Sequence, residues 1–197
     1  MMRNPPRLIL LIGIPGSGKS RWINSRLYKN GYGPIICLPP VQFVDIFPEE
    51  LLVLSPDKLR KEMTSDISNQ EMNTEIWEIV RNKAVEYLNK NITDGPGYSS
   101  LTQSVVIDAT NVNTKYRKEF INGIITKLDP KIVLRLKLQA KIFKVNPKLA
   151  SERIHADISN RIDRAKVPDE NIYKMYGEFL YTLTQLKSEG FKIIRNL

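Results

Sequence analysis

Residues 13–20 of this chain read Gly13-Ile14-Pro15-Gly16-Ser17-Gly18-Lys19-Ser20 and directly follow the apolar run at 8–12. They match the pattern G-x-x-x-x-G-K-[ST] at every fixed position. The glycines let the backbone turn so that successive N–H groups face inward, and the start of the next helix adds partial positive charge. A plain glycine-rich turn is the alternative, but the apolar strand before the stretch and the helical segment after it favour a phosphate-binding loop.

The loop also predicts its ligands. Lys19 is placed to reach the outer phosphates of a nucleotide, and Ser20 to offer a hydroxyl to Mg²⁺. The chain holds one histidine, His155, and one cysteine, Cys37, too few for a His/Cys metal cluster, so a hard, oxygen-bound ion is expected. ATP with Mg²⁺ is therefore the expected ligand pair. The candidate nucleotide-binding residues of the loop are Gly13, Pro15, Gly16, Ser17, Gly18, Lys19 and Ser20.

Short apolar runs alternate with longer amphipathic stretches along the rest of the chain, which is typical of an α/β domain. The predicted strands lie at 7–12, 51–54, 104–107, 132–143 and 191–194. The predicted helices lie at 19–28, 56–63, 71–89, 114–128, 147–159 and 170–188. We expect a five-stranded, mostly parallel sheet flanked by helices.

Length and composition limit the number of domains and the class of protein that the chain can form. Its 197 residues predict a single domain over 1–197, with surface insertions at about 31–50 and 93–102 and a lid at about 159–168. The hydrophobic fraction of 42% is that of an ordinary globular protein. The longest apolar run, 8–12, is too short to span a membrane and no signal peptide is recognised, so a cytoplasmic location without a membrane partner is expected. The net charge of +9 favours a polyanionic partner.

Asp57 and Arg60 follow the predicted strand at 51–54, at the edge where open α/β sheets bind ligands. They are three residues apart, so they share one face of the predicted helix. A carboxylate there can accept the proton of an attacking hydroxyl, and a guanidinium can hold a phosphate. Simple capping by Ser55, Pro56 and Asp57 explains the same residues equally well.

Asp108 directly follows the predicted strand at 104–107 and is a Walker-B-like carboxylate, placed to hold Mg²⁺ through water or to order the site. The next residue is Ala109, where a hydrolytic motor usually has a glutamate, which argues against a motor. Thr110 and Asn111 could contact substrate. Asn113 is predicted to cap the following helix.

The predicted lid is basic and joins two helices. Such residues are usually a solvated turn, but a kinase needs mobile arginines to cover the transferring phosphate. Arg161, Arg164 and Lys166 are the candidates, and Arg153 is a weaker fourth.

Four segments, taken in order, resemble the P-loop kinases typified by bacteriophage polynucleotide 5′-kinases, with zeta toxins and small-molecule kinases as more distant relatives. The segments are 13–20, 55–60, 106–113 with Arg117, and 161–176, including Val167-Pro168 and Met175-Tyr176. They cover most of the chain. The resemblance implies a P-loop kinase fold with an arginine-bearing lid.

The resemblance also implies roles for the site residues. Lys19 and Ser20 would bind ATP and magnesium, and Asp57 would be the general base that activates a 5′-hydroxyl. Arg60 would grip the phosphate on the acceptor's 3′ side, and Asp108 would support the catalytic cluster and the metal. A lid arginine would reach the γ-phosphate, and Arg161 and Arg164 both remain candidates for it.

The predicted function is transfer of the γ-phosphate of ATP to a hydroxyl, with the 5′-hydroxyl of single-stranded or terminal DNA or RNA as acceptor. A kinase of a nucleoside, sugar or antibiotic is the first alternative, and a non-catalytic nucleotide-binding switch the second. Two surfaces could add nucleic-acid contacts. They are the insertion aromatics Tyr32, Phe43 and Phe47, and a basic stripe on one strand made of Arg135, Lys137 and Lys141.

Overall fold

This computed structural model describes residues 5–29, 42–46, 49–93, 102–160, 162 and 164–194. The strands within these ranges are β1 (Arg7–Ile12), β2 (Gln42–Ile46), β3 (Glu49–Leu54), β4 (Thr102–Ile107), β5 (Lys137–Ile142) and β6 (Lys192–Ile194). The helices are α1 (Lys19–Lys29), α2 (Pro56–Thr64), α3 (Asn73–Thr93), α4 (Thr114–Ile125), α5 (Pro130–Val133), α6 (Pro147–Ser159) and α7 (Asp169–Gln185).

The described strands form one sheet in the order β2-β3-β4-β1-β5-β6. Five of them, β3, β4, β1, β5 and β6, run parallel, which confirms the predicted five-stranded parallel sheet flanked by helices. The remaining strand, β2, pairs antiparallel with β3 at the edge of the sheet.

The two faces of the sheet bury alternate residues of β1. Leu8, Leu10 and Ile12 pack into a large core with residues of α2 to α7. Ile9 and Leu11 pack on the other face, with Ile23 and Trp22 of α1. Because both faces are covered, β1 is apolar at nearly every position, as a central parallel strand must be.

The register aligns the carboxyl ends of the central strands. Leu10 lies opposite Ile107 of β4, and Ile107 lies opposite Leu54 of β3. The segments that follow these strands therefore meet at one edge, the expected place for a ligand site in a parallel sheet.

The predicted strand at 132–143 is wrong over its first five residues. Asp129 accepts a hydrogen bond from the backbone N–H of Lys131 and precedes Pro130, so the chain makes the short helix α5, and β5 begins only at Lys137. Arg135 lies between these two elements, so the predicted stripe of Arg135, Lys137 and Lys141 does not share one strand.

The predicted insertion at 31–50 is also wrong in part, because β2 and the start of β3 lie within it and join the sheet. Positions 30–41, 47–48 and 94–101 are outside the described residues, and so is most of the second insertion. Within the described ranges, none of the helices combines the length and apolarity that crossing a membrane requires.

Candidate functional site

The loop at 13–20 sits at the carboxyl edge of the sheet, between β1 and α1. The N–H of Gly13 donates to the carbonyl of Thr110 at 3.1 Å, which ties the loop to the end of β4. Gly16 and Gly18 have φ angles of +78° and +94°, a region that favours glycine. A Cβ on Gly16 would also lie 2.5 Å from the carbonyl oxygen of Ala150 in α6. The backbone is thus turned and held on both sides, as a phosphate cradle at a helix N-terminus requires.

The Lys19 side chain lies inside this loop and is buried. Its ammonium donates to the carbonyl oxygens of Gly13 at 2.8 Å and Ile14 at 3.0 Å, and to the Ser17 hydroxyl at 3.4 Å. The loop therefore holds one buried cation against its own backbone.

Burial lowers the pKa of Lys19 from 10.5 to about 8, while the Asp108 and Asp57 carboxylates raise it and Arg164 lowers it further. Each of these groups must lie close enough to Lys19 to act on its charge. The structure thus brings four of the predicted catalytic residues into one electrostatic cluster.

Asp108 directly follows β4 and is buried. Its N–H donates to the Leu54 carbonyl of β3 at 2.8 Å, which fixes the residue between the two strand ends. Burial raises the pKa of its carboxyl group, while the Lys19 ammonium opposes that shift and the Ser20 hydroxyl donates a hydrogen bond to the carboxylate.

The Ser20 hydroxyl and the Asp108 carboxylate are neighbouring hard oxygen donors, which is the chemistry that Mg²⁺ prefers. Across the described residues, no three His, Cys, Asp or Glu side chains group together as a metal site. A Mg²⁺ ion held here would therefore depend on nucleotide phosphates and water for most of its ligands, as is usual for this ion. The residues present fit that requirement.

Asp57 and Arg60 lie on α2 and form an ion pair, with Nη1 of Arg60 2.5 Å from Oδ1 of Asp57. The two side chains differ in exposure, 59% for Asp57 and 5% for Arg60. Nη2 of Arg60 donates to Oδ1 of Asn73 in α3 at 2.9 Å. Ser55 occupies the N-cap position of α2, but its side chain makes no capping hydrogen bond. The Asp57 carboxylate is thus held by a buried guanidinium and is largely exposed to solvent.

The arginines in and near the predicted lid have different partners. Arg164 forms an ion pair with Asp157 of α6. Arg161 lies outside the described residues. Arg153, which the sequence ranked last, donates to the carbonyl of Gly16 at 3.2 Å and so contacts the loop directly. The spacing of residues along α6 does not indicate that Arg153 contacts the loop.

Asn111 serves the frame of the site. It has a φ of +49°, and its side-chain amide donates to the carbonyls of Leu11 at 2.9 Å, Ala109 at 3.2 Å and Ile107 at 3.3 Å. The ends of β1 and β4 are thereby joined. Asparagine tolerates this backbone region better than most residues, which is the one signal the sequence offered.

Arg117 completes this frame. It is buried, makes two hydrogen bonds of 2.8 Å to the Glu189 carboxylate and donates to the carbonyl of Asn111 at 2.8 Å. Sequence reasoning missed Glu189, because nothing in the chain marks a partner 72 positions away. Asn113 caps α4 through the N–H of Tyr116 at 3.1 Å, as predicted.

The other residues singled out in the sequence add no described contact with the loop. His155, to which we assign no role, lies 3.4 Å from Asp169. Lys166 is exposed. Tyr32, Phe47 and the side chain of Phe43 lie outside the described residues.

Comparisons with known proteins agree with this fold. A candidate kinase from Chloroflexus aurantiacus superposes with a TM-score of 0.51 at 14% identity, over 82% of this chain and 70% of the other. A chain of the PezAT chromosomal toxin-antitoxin system of Streptococcus pneumoniae gives the same score and identity, over 98% of this chain and 69% of the other. At this identity the likeness is one of fold alone. No curated protein matches the sequence.

A family model settles the membership. The model AAA_33, described as an AAA domain, matches residues 8–179 and so spans most of the chain, from β1 through the loop and into α7. The protein therefore belongs to the AAA_33 family, with a P-loop kinase-like fold.

Proposed function

We propose that this chain is an ATP-dependent phosphotransferase and that its acceptor is the 5′-hydroxyl of DNA or RNA. One observation carries the proposal. The exposed Asp57 carboxylate raises the pKa of both Lys19 and Asp108, so a candidate base lies near the phosphate-binding loop. A general base must lie where the donor and acceptor oxygens can meet.

The donor half of the proposal uses the loop. Its inward N–H groups and the Lys19 ammonium would hold the phosphates, and Ser20 with Asp108 would hold Mg²⁺. The ion, when bound, supplies charge neutralisation at the phosphates. Lys19 would exchange its contacts with Gly13 and Ile14 for phosphate oxygens, which replaces neutral carbonyl partners of a buried ammonium with negatively charged ones.

The acceptor half uses α2. Asp57 would accept the proton of the attacking hydroxyl, and Arg60 would hold that carboxylate in place through the 2.5 Å ion pair. For Arg60 also to grip an acceptor phosphate, one of its contacts to Asp57 or Asn73 would have to open, because both Nη groups are engaged. Its Nε is buried and has no hydrogen-bond partner among the described residues.

The proposal also uses a lid arginine. Arg164 acts on Lys19 electrostatically, which supports a place near the phosphates. Arg161 is kept as the second candidate for donor binding. A guanidinium at that place would offset the charge on the transferring group.

A nucleic-acid acceptor is supported by the net charge of +9 and by the resemblance of the four ordered segments to polynucleotide 5′-kinases. The small-molecule alternative shares the donor half and differs only in the acceptor, so the acceptor has to be tested directly.

The test is to incubate the protein with terminally labelled ATP and, in parallel, a 5′-hydroxyl oligonucleotide, the same oligonucleotide already 5′-phosphorylated, a nucleoside and sugar panel, and no acceptor. Label only in the 5′-hydroxyl oligonucleotide is expected. Label only in a small molecule overturns the acceptor, and no label in any reaction overturns the kinase. Lys19→Met protein, purified in the same way, controls for contaminating kinases.

A further inference from the structure

A second concave site lies between α4 and α7. It is an open groove of about 570 Å³, and its wall includes Val112, Asn113 and Thr114, which follow Asp108 at the carboxyl end of β4. This volume lies within the range of small-ligand sites. The groove wall therefore begins four positions after Asp108 in the chain, and the groove is large enough for one nucleotide.

Two lysines give the groove a place for phosphate. Lys115 and Lys118 both line it, are exposed and stand one turn apart on α4. Within the described part of the chain, neither ammonium has a hydrogen bond or an ion-pair partner. Both charges are therefore available to an anionic ligand.

An aromatic ring gives the groove a place for a base. Tyr181 of α7 lines it and is 59% exposed, whereas the next residue, Thr182, is fully buried. Tyr173 is also exposed and lies eight residues earlier, about 12 Å along the same helix face. Exposed rings beside lysines are the usual platform for single-stranded nucleic acid.

Carboxylates in the groove limit what it can bind. Glu119 and Glu178 line it, and Glu178 accepts a hydrogen bond from the Asn113 amide at 3.3 Å. Two carboxylates against two lysines disfavour a bare polyanion. They suit a nucleotide, whose base edge donates from amino groups while its phosphate meets the lysines.

From this arrangement we propose that the groove holds a nucleotide of the acceptor strand, with its base stacked on Tyr181 and its phosphate at Lys115 and Lys118. The proposal rests on the proposed function and names a subsite of it for single-stranded DNA or RNA. None of these residues belongs to the candidate donor machinery, so variants here leave the loop intact.

The test measures binding of a fluorescent single-stranded 12-mer by anisotropy, without ATP, over a series of salt concentrations. Lys115→Ala/Lys118→Ala should weaken binding and reduce the slope of log K against log salt by about 0.7, because the two lysines share one phosphate of a single strand. Lys131→Ala/Lys192→Ala removes the same charge from two exposed lysines near the opposite, amino edge of the sheet and should leave the slope unchanged. Tyr181→Ala should weaken binding by about 5- to 150-fold, and Tyr181→Phe should keep it.

Four outcomes decide the proposal. Losses confined to the groove variants support it. Equal losses in both lysine pairs overturn it, since binding would then follow net charge. Unchanged oligonucleotide binding in the groove variants also overturns it and leaves the groove to another class of partner, such as a protein. A matching loss of ATP affinity assigns the groove to the donor and overturns it as an acceptor subsite.

The transfer assay run in parallel separates this proposal from the proposed function. Oligonucleotide binding that depends on the groove, with no transfer of label, overturns the kinase reaction alone. Transfer that is indifferent to the groove variants, with 12-mer and dinucleotide acceptors alike, overturns the groove alone.

Discussion

The proposed donor side and the proposed acceptor side of the site are built differently. On the donor side, backbone groups hold the loop at 13–20, and Lys19 is buried against its carbonyls. On the acceptor side, Asp57 is 59% exposed and is held by one side-chain pair with Arg60. One side is a preformed backbone cradle, and the other is an arrangement of side chains from separate helices.

The difference predicts how each side responds to change. A loop made of contiguous backbone serves any acceptor, so its variants should affect every reaction alike. A carboxylate positioned by contacts from α2 and α3 should affect the acceptor step while leaving nucleotide binding intact.

Lys19→Met should abolish transfer to every acceptor, because the only cation inside the described loop is removed. Labelled ATP with each acceptor measures this. Lys148→Met, an exposed lysine at the start of α6, is the matched control and should keep full activity. Residual transfer by Lys19→Met to one acceptor would show that the loop is not the shared donor site.

The same variant should be more stable than the parent below pH 8. The pKa of Lys19 falls from 10.5 to about 8 through burial, so at neutral pH the folded protein carries a cation that the unfolded chain solvates freely. The difference corresponds to about 3 kcal/mol at most, and the lost contacts to Gly13 and Ile14 reduce it. As the pH rises from about 8 to 10.5 the folded form is neutral while the unfolded form is still charged, so the gap should close. Urea unfolding at pH 7 and pH 10 measures it, and a gap that widens with pH would contradict the assignment.

Asp57→Asn should lower kcat by about 10² or more with ATP affinity little changed, because asparagine keeps the shape but cannot accept the proton. Steady-state kinetics and nucleotide binding measure the two separately. Glu62→Gln, on the same helix and exposed, is the control. Near-normal turnover in Asp57→Asn would leave Asp57 with a capping role alone.

The same division explains what the sequence could predict. The loop, β1 and the carboxyl edge were readable because their signals are contiguous: an apolar strand, fixed glycines and a helix start. The start of α5 also has a local signal, Asp129-Pro130, but the β-branched Ile132 and Val133 after it favour a strand. The edge strand β2 was missed because a Pro-rich, aromatic stretch does not alternate as strands do.

Side-chain contacts between separate elements could not be predicted from the sequence. Arg60 with Asn73, Arg153 with Gly16 and Arg117 with Glu189 are 13, 137 and 72 positions apart. Such pairs depend on how helices pack against the sheet, and no local spacing encodes that. The residue types at the site were therefore predictable, whereas their partners were not.

Gly16→Ala and Gly18→Ala test whether the loop is held by its surroundings. Both positions have positive φ, so alanine should cost about 1–2 kcal/mol at either. Only at Gly16 would the new Cβ meet backbone, 2.5 Å from the Ala150 carbonyl oxygen, whereas at Gly18 nothing lies within 4 Å. Gly16→Ala should therefore lose a further 1–3 kcal/mol or so in urea unfolding. Equal losses at the two positions would mean that α6 does not brace the loop.

Asn73→Ala tests the acceptor side in the same way, with the smallest expected effect. It removes the partner of Nη2 on a buried guanidinium whose Nε is already without one in the described structure, so Arg60 is left with Asp57 alone. A hydrogen bond to a charged group contributes about 1.5–3 kcal/mol, and rearrangement around the partly buried Asn73 should leave a loss of about 1 kcal/mol.

Because Asn73 touches neither donor nor acceptor in the proposed reaction, its effect should pass through Arg60 to Asp57. We expect kcat to fall less than tenfold, with the KM for ATP unchanged. Asn73→Asp keeps an oxygen acceptor for Nη2 and should restore kcat, which a purely structural defect at the start of α3 would not require. A rise in the KM for ATP would instead place Asn73 on the donor side. The proposed separation between the backbone loop that binds the donor and the side chains that bind the acceptor would then be wrong for this residue.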